Sequence, residues 1–377
     1  MHVFDGMILL APHRRYKVSC YYCYTSLIKN RIRFFSLSSR ELIAKAERKI
    51  PGSVQYRKLW RYFCHQYYEE VRTSLEQNIG SNINLLSAKN LEHDLGAIGA
   101  NQGVMPNFSD IGALRYYTLN HFGRARLMGH LLVQPENEWL SNRVSELFKN
   151  NTNEAVKACS LGGGPGYDFL SLSALSEFYG GSSVHMDVHD YESTWKDIVY
   201  SMEKSIIDIC GHSKHSCNFD LCDITHPLNS TINNEISKNI DSIDIFTCSY
   251  CIVENAMKLS KTDFIFFHDI LLNASPGTLF LFTDTTHRLW PSLIDIARNI
   301  GDLRIAAPYV RVGKCGWQLV LLKDTSIHYR HSSTATASNS IIDTELYNRF
   351  VRDYEAHTNR LSRGWKRDSR KVRGSKK

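Results

Sequence analysis

The chain has 377 residues, of which 43% are hydrophobic and 22% charged, and its formal net charge is +7. A chain of this length and composition buries a sizeable core without disulfide staples, which excludes a disordered or fibrous protein. The sequence contains no apolar run of the ~18 residues that a membrane span needs, so we expect no membrane protein.

Residues 1–40 form a basic N-terminal segment with seven Lys or Arg residues against one acid, Asp5. The apolar run Met7–Ala11 lacks a preceding basic region, which disfavours a secretory signal, whereas the acid-poor composition keeps a mitochondrial transit peptide as an alternative. The ten cysteines are scattered, which favours free thiols in a reducing compartment, cytoplasmic or nuclear. Cys20 and Cys23 have no second Cys or His pair at zinc spacing, so we expect no metal site.

Residues 41–150 are predicted to be mainly helical and to form a cap or substrate region. Aromatic and apolar side chains recur every three or four residues over Tyr56–Val71, which is the pattern of an amphipathic helix with a core-facing stripe. Two further helices are predicted over about Ile111–Leu132 and Trp139–Phe148.

Residues 151–325 show a different pattern, in which short apolar strands alternate with helical stretches. This alternation predicts an α/β domain with a doubly wound, mostly parallel seven-stranded sheet. The last two strands are joined through Gly313–Gly316 without room for a helix, so they should form a terminal antiparallel hairpin. The predicted strands lie near residues 155–161, 184–188, 217–222, 243–249, 278–283, 304–312 and 318–323.

Residues 326–377 are predicted to be a Ser/Thr-rich linker followed by a basic tail. Residues 359–377 carry nine Lys or Arg residues and one acid, Asp368. The body between residues 41 and 358 holds 29 basic and 36 acidic residues, so the positive net charge comes from the two ends. Such ends are either solvated tails or arms that bind the phosphates of a nucleic acid.

A glycine-rich turn follows the first predicted strand and precedes a helix. It consists of Gly162, Gly163, Gly164, Pro165 and Gly166. Glycine lets the backbone approach a ligand closely, and the helix N-terminus offers free N–H groups. A P-loop would need Gly-Lys-Ser/Thr, which is missing, and the dinucleotide pattern would need a glycine where Tyr167 stands.

Acidic residues follow at the ends of the next two predicted strands. Asp190, with Tyr191 after it, is placed to hold the ribose hydroxyls of a nucleoside, and Asp187 is the alternative if the strand ends earlier. The third strand ends in Cys222 and Asp223.

The glycines and these two acids together resemble the class I S-adenosylmethionine (SAM)-dependent methyltransferases over roughly residues 155–323. The resemblance implies a Rossmann-like domain, SAM as the cofactor and methyltransferase activity, with Asp223 accepting a hydrogen bond from the adenine amino group. The implied cofactor contacts are Leu161, Gly162, Gly163, Gly164, Gly166, Asp190, Tyr191, Cys222, Asp223 and Ser249. The family often has an acid two residues before the first glycine, where this chain has Ser160.

Candidate catalytic residues lie after the fourth and fifth strands. They are Tyr250, Glu254, Asp284 and His287. Methyl transfer requires alignment and exclusion of water, and a base only where the acceptor is protonated. Each candidate also has a structural interpretation, as a helix cap or a polar loop. The Asp/Asn-Pro-Pro-aromatic motif of base-amine methyltransferases is absent, and Cys248 lacks a partner cysteine for carbon-5 methylation.

Three hypotheses for the function follow. The acceptor is RNA, bound by the basic ends, by Arg124 and Arg126 near tyrosines, and by Trp365; the glycine turn is similar to that of some ribosomal-RNA uridine N3-methyltransferases. Alternatively it is a small amine, because Asp190-Tyr191 followed by Trp195 resembles the nicotinamide and phenylethanolamine N-methyltransferases. The third is an inactive methyltransferase fold that serves as a binding subunit.

Overall fold

The computed structural model describes residues 54–99, 106–133, 138–150, 154–211, 214–285, 289–306 and 317–324. Within these ranges the chain forms a helical segment followed by a sheet with helices on both faces. None of the described helices is long and apolar enough to cross a membrane.

The helical segment contains five α-helices. They are α1 (Val54–Asn78), α2 (Leu85–Gly99), α3 (Ile111–Asn120), α4 (Arg126–Val133) and α5 (Glu138–Ser145). The single helix predicted over 111–132 is wrong, because a 3₁₀ turn, Phe122–Ala125, separates α3 from α4. Asn120 and Gly123 are weak helix formers, which accounts for the break. The helix predicted over 139–148 is α5 continued by a π turn, Glu146–Asn150.

The seven-stranded sheet is confirmed. Its strands are β1 (Val156–Leu161), β2 (Val184–Asp190), β3 (Ser216–Leu221), β4 (Ile245–Ser249), β5 (Leu279–Asp284), β6 (Leu303–Ala306) and β7 (Trp317–Lys323). Their order is β3-β2-β1-β4-β5-β7-β6. The first five strands are parallel, whereas β7 runs antiparallel to both β5 and β6, as predicted. The connection through Gly313–Gly316 lies outside the described residues.

The strands are apolar because helices cover both faces of the sheet, and every residue of β5 is buried. The helices of this part are α6 (Tyr167–Tyr179), α7 (Lys196–Cys210), α8 (Asn234–Asn239), α9 (Ala256–Lys261), α10 (Ile265–Asn273) and α11 (Trp290–Ile300). Short 3₁₀ turns occur at Ser193–Trp195, Thr231–Asn233 and Ile240–Ser242.

The stripe along α1 is core, as the spacing indicates. Trp60, Phe63, Tyr67 and Val71 are all at most 2% exposed. The rings of Trp60 and Phe63 lie 5.1 Å and 5.4 Å from that of Phe178 on α6. The helical segment and one face of the sheet therefore share a hydrophobic core. Residues of α3 and of the 3₁₀ turn belong to this core, together with Tyr167, which follows the glycine turn.

Candidate functional site

The glycine turn lies where ligands bind in open α/β sheets. Strand order reverses at β1, since β2 and β3 lie on one side and β4, β5, β7 and β6 on the other. In such sheets the crevice beyond the carboxyl ends of the strands at the reversal takes the ligand. Residues 162–166 come directly after β1 and so occupy this crevice.

The turn has a backbone that side chains would prevent. Gly162, Gly164 and Gly166 have φ values of +62°, +44° and +79°, in the left-handed region. A Cβ atom on Gly162 would collide with the Sγ atom of Cys251, and one on Gly163 would lie 2.6 Å from the Oγ atom of Ser160. Gly162 and Gly163 therefore leave no room for a side chain, whereas Gly164 and Gly166 are favoured by their backbone conformation alone.

Asp190 is the last residue of β2 and holds the turn in place. Its carboxylate accepts hydrogen bonds from the N–H groups of Gly164 at 2.9 Å and Glu192 at 3.0 Å. Burial raises the pKa of Asp190 to about 6, while these backbone N–H groups act in the opposite direction. Asp187, the alternative, lies three residues inside the strand and accepts from Asn218, so the structure places Asp190 and not Asp187 at the strand end. Tyr191 is 68% exposed beside it.

Cys222 and Asp223 follow β3, as predicted. The N–H of Cys222 donates to the carbonyl of Asp190 at 3.0 Å, which ties this loop to the end of β2. The Asp223 carboxylate accepts from the N–H and hydroxyl of Thr225 at 2.9 Å and 2.6 Å, and it lies 2.9 Å from Nδ1 of His226. These contacts cap the loop, and the adenine contact stays a prediction.

Asp168, in the first turn of α6, is a site residue that the sequence analysis did not single out. It is only 4% exposed, and its carboxylate accepts from the hydroxyls of Ser160 at 3.0 Å and Ser249 at 2.7 Å. Ser249 is one of the predicted cofactor contacts. An acid two residues after the last glycine of the turn was the available signal, but the direction of its side chain depends on how α6 packs on the sheet.

Tyr250, directly after β4, has the strained backbone that functional sites often contain. Its φ is +62°, which is uncommon for a residue with a bulky side chain, and its N–H donates to the carbonyl of Thr283 at 2.7 Å. The guanidinium of Arg124 lies 4.4 Å from the centre of the Tyr250 ring and donates to the hydroxyl of Tyr117 at 2.5 Å. The 3₁₀ turn thus reaches from the helical segment onto the end of β4.

The carboxyl groups of Glu254 and Asp284 are close enough to Arg124 for its charge to oppose the effect of burial on their pKa values. Burial raises the pKa of Glu254 to about 8, and the positive charge of Arg124 only partly opposes the effect. Burial also raises the pKa of Asp284 to about 6, against hydrogen bonds from Val253 and Thr285. Three of the four predicted catalytic residues, Tyr250, Glu254 and Asp284, therefore lie around Arg124, whereas His287 lies outside the described residues.

The two arginines that the sequence groups together have different surroundings. Arg126 forms an ion pair with Glu69 at 2.8 Å, whereas Arg124 faces the cluster of tyrosines and acids.

A group of Glu177, Cys210 and His215 has its candidate ligand atoms within 4.8 Å of one another. Nδ1 of His215 accepts the N–H of Val184 at 3.1 Å, so the proton of the neutral ring is on Nε2 and is donated to Glu177 at 3.0 Å. A metal bound at Nε2 would displace this proton, and the proton could not move to Nδ1, because the lone pair of Nδ1 accepts the Val184 N–H. The group is a structural hydrogen-bond network and also includes Tyr67, whose hydroxyl lies 3.4 Å from the Sγ atom of Cys210.

The strand order and the antiparallel β7 are those of a doubly wound, mostly parallel sheet with a terminal antiparallel pair. No protein-family model matches the chain, and neither does a curated protein. Similar solved structures include a TehB-like SAM-dependent methyltransferase from Corynebacterium glutamicum (13% identity over 55% of this chain and 99% of that chain, TM-score 0.32). Another is a putative class I SAM-dependent methyltransferase from Listeria monocytogenes (12%, 77% and 98%, TM-score 0.36). A third is the mitomycin 7-O-methyltransferase MmcR (10%, 74% and 75%, TM-score 0.35). At these identities and scores the likeness assigns no activity.

Proposed function

We propose that this protein is a SAM-dependent methyltransferase. The observation that carries the proposal is the hydrogen bond between the Gly164 N–H and the Asp190 carboxylate, at the point where the strand order reverses. This hydrogen bond brings the glycine turn together, in one crevice, with the acid that a nucleoside ligand needs.

The residues of the crevice fit the parts of SAM. Both oxygens of the Asp190 carboxylate accept backbone N–H groups, and the remaining lone pairs suit the ribose hydroxyls. The free N–H groups at the start of α6 suit the carboxylate of the methionine end. Leu161, Tyr191, Cys222 and Asp223 are the residues we expect to contact the nucleoside.

The bound cofactor supplies a methyl group on a positively charged sulfur, which needs no metal or covalent enzyme intermediate to react. The protein's part is to orient the acceptor and to exclude water. In this proposal Tyr250 and Arg124, whose ring centre and guanidinium lie 4.4 Å apart, face the acceptor. Glu254, with a pKa of about 8, is suited to take a proton from the acceptor near neutral pH.

RNA is the first candidate for the acceptor. The support is the charge distribution, since sixteen Lys or Arg residues against two acids stand in residues 1–40 and 359–377. Both basic ends lie outside the described residues. Within the described part, the arrangement of Arg124 and Arg126 adds nothing to this hypothesis.

A small amine is the second candidate, and the acceptor side favours it. Asp190 and Asp284, with pKa values of about 6, are charged at neutral pH and give this region an acidic character, and the rings of Tyr117 and Tyr250 lie beside Arg124. Acids and aromatic faces together attract cationic amines. The helical segment above the crevice also corresponds to the cap expected for such an enzyme.

Two measurements test the proposal. Calorimetry with SAM should show binding to the purified full-length chain, and failure to bind would sink the enzyme hypothesis. Mass spectrometry of modified nucleosides and small metabolites after depletion of the protein should then show loss of a methylated RNA nucleoside or of a methylated amine. Binding of SAM without the loss of any methylated product would instead favour the inactive binding subunit.

A further inference from the structure

The first strand of this chain lacks an acid at its carboxyl end. Two residues before Gly162 stands Ser160, which is fully buried. A serine hydroxyl carries no charge to offset the positive α-ammonium group of an amino acid ligand. If the crevice binds SAM, the charge must come from elsewhere.

The structure places the Asp168 carboxylate one hydrogen bond away from that position. One oxygen accepts from Ser160 at the end of β1, and the other accepts from Ser249 at the end of β4. The carboxylate therefore lies between the two central strands at which the strand order reverses. The half-buried Ser249 is the contact on the open side.

Among the described residues, no cation lies beside the buried carboxylate of Asp168 to offset its negative charge. Within the part of the chain that the structure describes, no ion pair involves it, and the side-chain hydroxyls beside it, on Ser160, Ser249 and Thr247, are neutral. Burial raises its pKa, because a buried carboxylate without a nearby cation is costly. A cation arriving from the crevice would supply the missing partner.

We propose that Asp168 binds the α-ammonium group of the methionine end of SAM, in place of an acid at position 160. The inference rests on the proposed function. The acid has moved from the strand to the first turn of the helix, and Ser160 and Ser249 hold its carboxylate beside the ends of β1 and β4. The competing interpretation is a clamp that only ties α6 to β1 and β4.

The first experiment uses the unaltered full-length protein and two ligands. S-adenosylhomocysteine carries the α-ammonium group, and its analogue without the amino group does not. We expect calorimetry to show at least tenfold weaker binding of the analogue, about 1.4 kcal/mol. Equal affinity for the two ligands would overturn the proposal, whereas binding of neither would overturn the proposed function as well.

The second experiment repeats both titrations on Asp168→Asn, which keeps the size of the side chain and an oxygen acceptor. In this variant the two ligands should bind equally, because the charge that distinguishes them is gone. A clamp would instead weaken both ligands by the same factor and keep the preference for the amino group, which contradicts the proposal.

Two further variants complete the design. Asp208→Asn is the matched control, since Asp208 also accepts from a serine hydroxyl but lies near the far end of α7. It should bind both ligands as the unaltered protein does. The double variant Ser160→Asp/Asp168→Asn returns the charge to the strand, and it should recover part of the preference for the ligand with the amino group. A double variant that folds and binds but shows no preference counts against the charge argument.

Discussion

At the scale of single residues, Gly164 has space for a small side chain, but a negatively charged one would be repelled by the Asp190 carboxylate. A Cβ atom there would lie 3.6 Å from Trp195 and 4.0 Å from the Oδ2 atom of Asp190. Its φ of +44° adds a strain of roughly 1–2 kcal/mol for any other residue, and Asn tolerates it best. Asp and Asn variants at this position therefore separate the effect of charge on binding from the effect of side-chain size.

We predict that Gly164→Asp binds SAM at least tenfold more weakly than Gly164→Asn, because its carboxylate repels Asp190 and competes for the ribose site. The two variants share size and backbone strain, so their thermal unfolding should agree within a few degrees. Calorimetry with SAM and thermal melting check both statements. Equal binding by the two variants would show that the turn does not serve the nucleoside.

Glu254 makes stability depend on pH in a defined direction. Its pKa rises from 4.5 in a free side chain to about 8 in the folded protein, chiefly through burial. The folded state then binds more protons at Glu254 than the unfolded state between these values, so the contribution of Glu254 to stability is greatest below about pH 4.5 and is lost as pH rises towards about 8.

We predict that the unfolding free energy of the unaltered protein falls by on the order of 3 kcal/mol more than that of Glu254→Gln between pH 5 and pH 8. Urea unfolding at a series of pH values measures this difference. Glu235→Gln, at an exposed residue paired with Lys238, is the control and should follow the unaltered protein. Parallel curves for all three proteins would mean that Glu254 titrates as it does in water.

The glycine turn, Asp190 and the region of Tyr250 and Glu254 could be predicted because each depends on its position relative to a strand end. Asp168 and Arg124 could not be assigned in this way. Asp168 reaches Ser249 across 81 positions of sequence, and Arg124 reaches the Tyr250 ring across 126. Such contacts depend on how the elements pack, which local pattern does not contain.

At the scale of elements, Tyr167 joins the glycine turn to the helical segment. It is the first residue of α6, is 6% exposed, and donates its hydroxyl to the carbonyl of Thr118 at the end of α3 at 2.7 Å. The hydrogen bond fixes α3 relative to the crevice.

We predict that Tyr167→Phe lowers the free energy of unfolding by about 1 kcal/mol or more, because a buried carbonyl loses a donor while the ring still packs. Tyr200→Phe, on the more exposed surface of α7, is the matched control and should change stability by less than about 0.5 kcal/mol. Urea denaturation of the three proteins gives the values. Equal stability of Tyr167→Phe and the control would mean that this contact contributes nothing to the placement of α3.

The boundaries of the elements show which local signals suffice. Strand β2 extends to Asp190, two residues beyond the apolar run, because His189 pairs with Leu161 and Asp190 with Leu221 in the ladders. Polar residues can continue a strand when both neighbours are strands, and periodicity does not reveal this. The break between α3 and α4 follows from weak helix formers within an otherwise helical pattern.

At the scale of the whole molecule, charge separates the ends from the body. The body between residues 41 and 358 has 29 basic and 36 acidic residues, so it should repel polyanions, whereas residues 359–377 alone carry nine Lys or Arg residues. When a protein neutralises Z phosphates of a single-stranded RNA, its affinity falls as salt is added. The slope of log affinity against log salt concentration is about −0.7Z. If the acceptor is RNA, the ends should therefore dominate its binding.

We predict that replacing the nine Lys and Arg residues of 359–377 by Gln in the full-length chain weakens binding of a fluorescent RNA oligomer at least tenfold and makes its salt dependence shallower. Fluorescence anisotropy at a series of salt concentrations measures both effects. A variant with the same tail residues in permuted order is the control, and it should bind like the unaltered protein because the charge is unchanged. RNA binding that survives neutralisation of both ends, or no binding by the unaltered protein, would exclude this role for the tail and leave the small amine as the favoured acceptor.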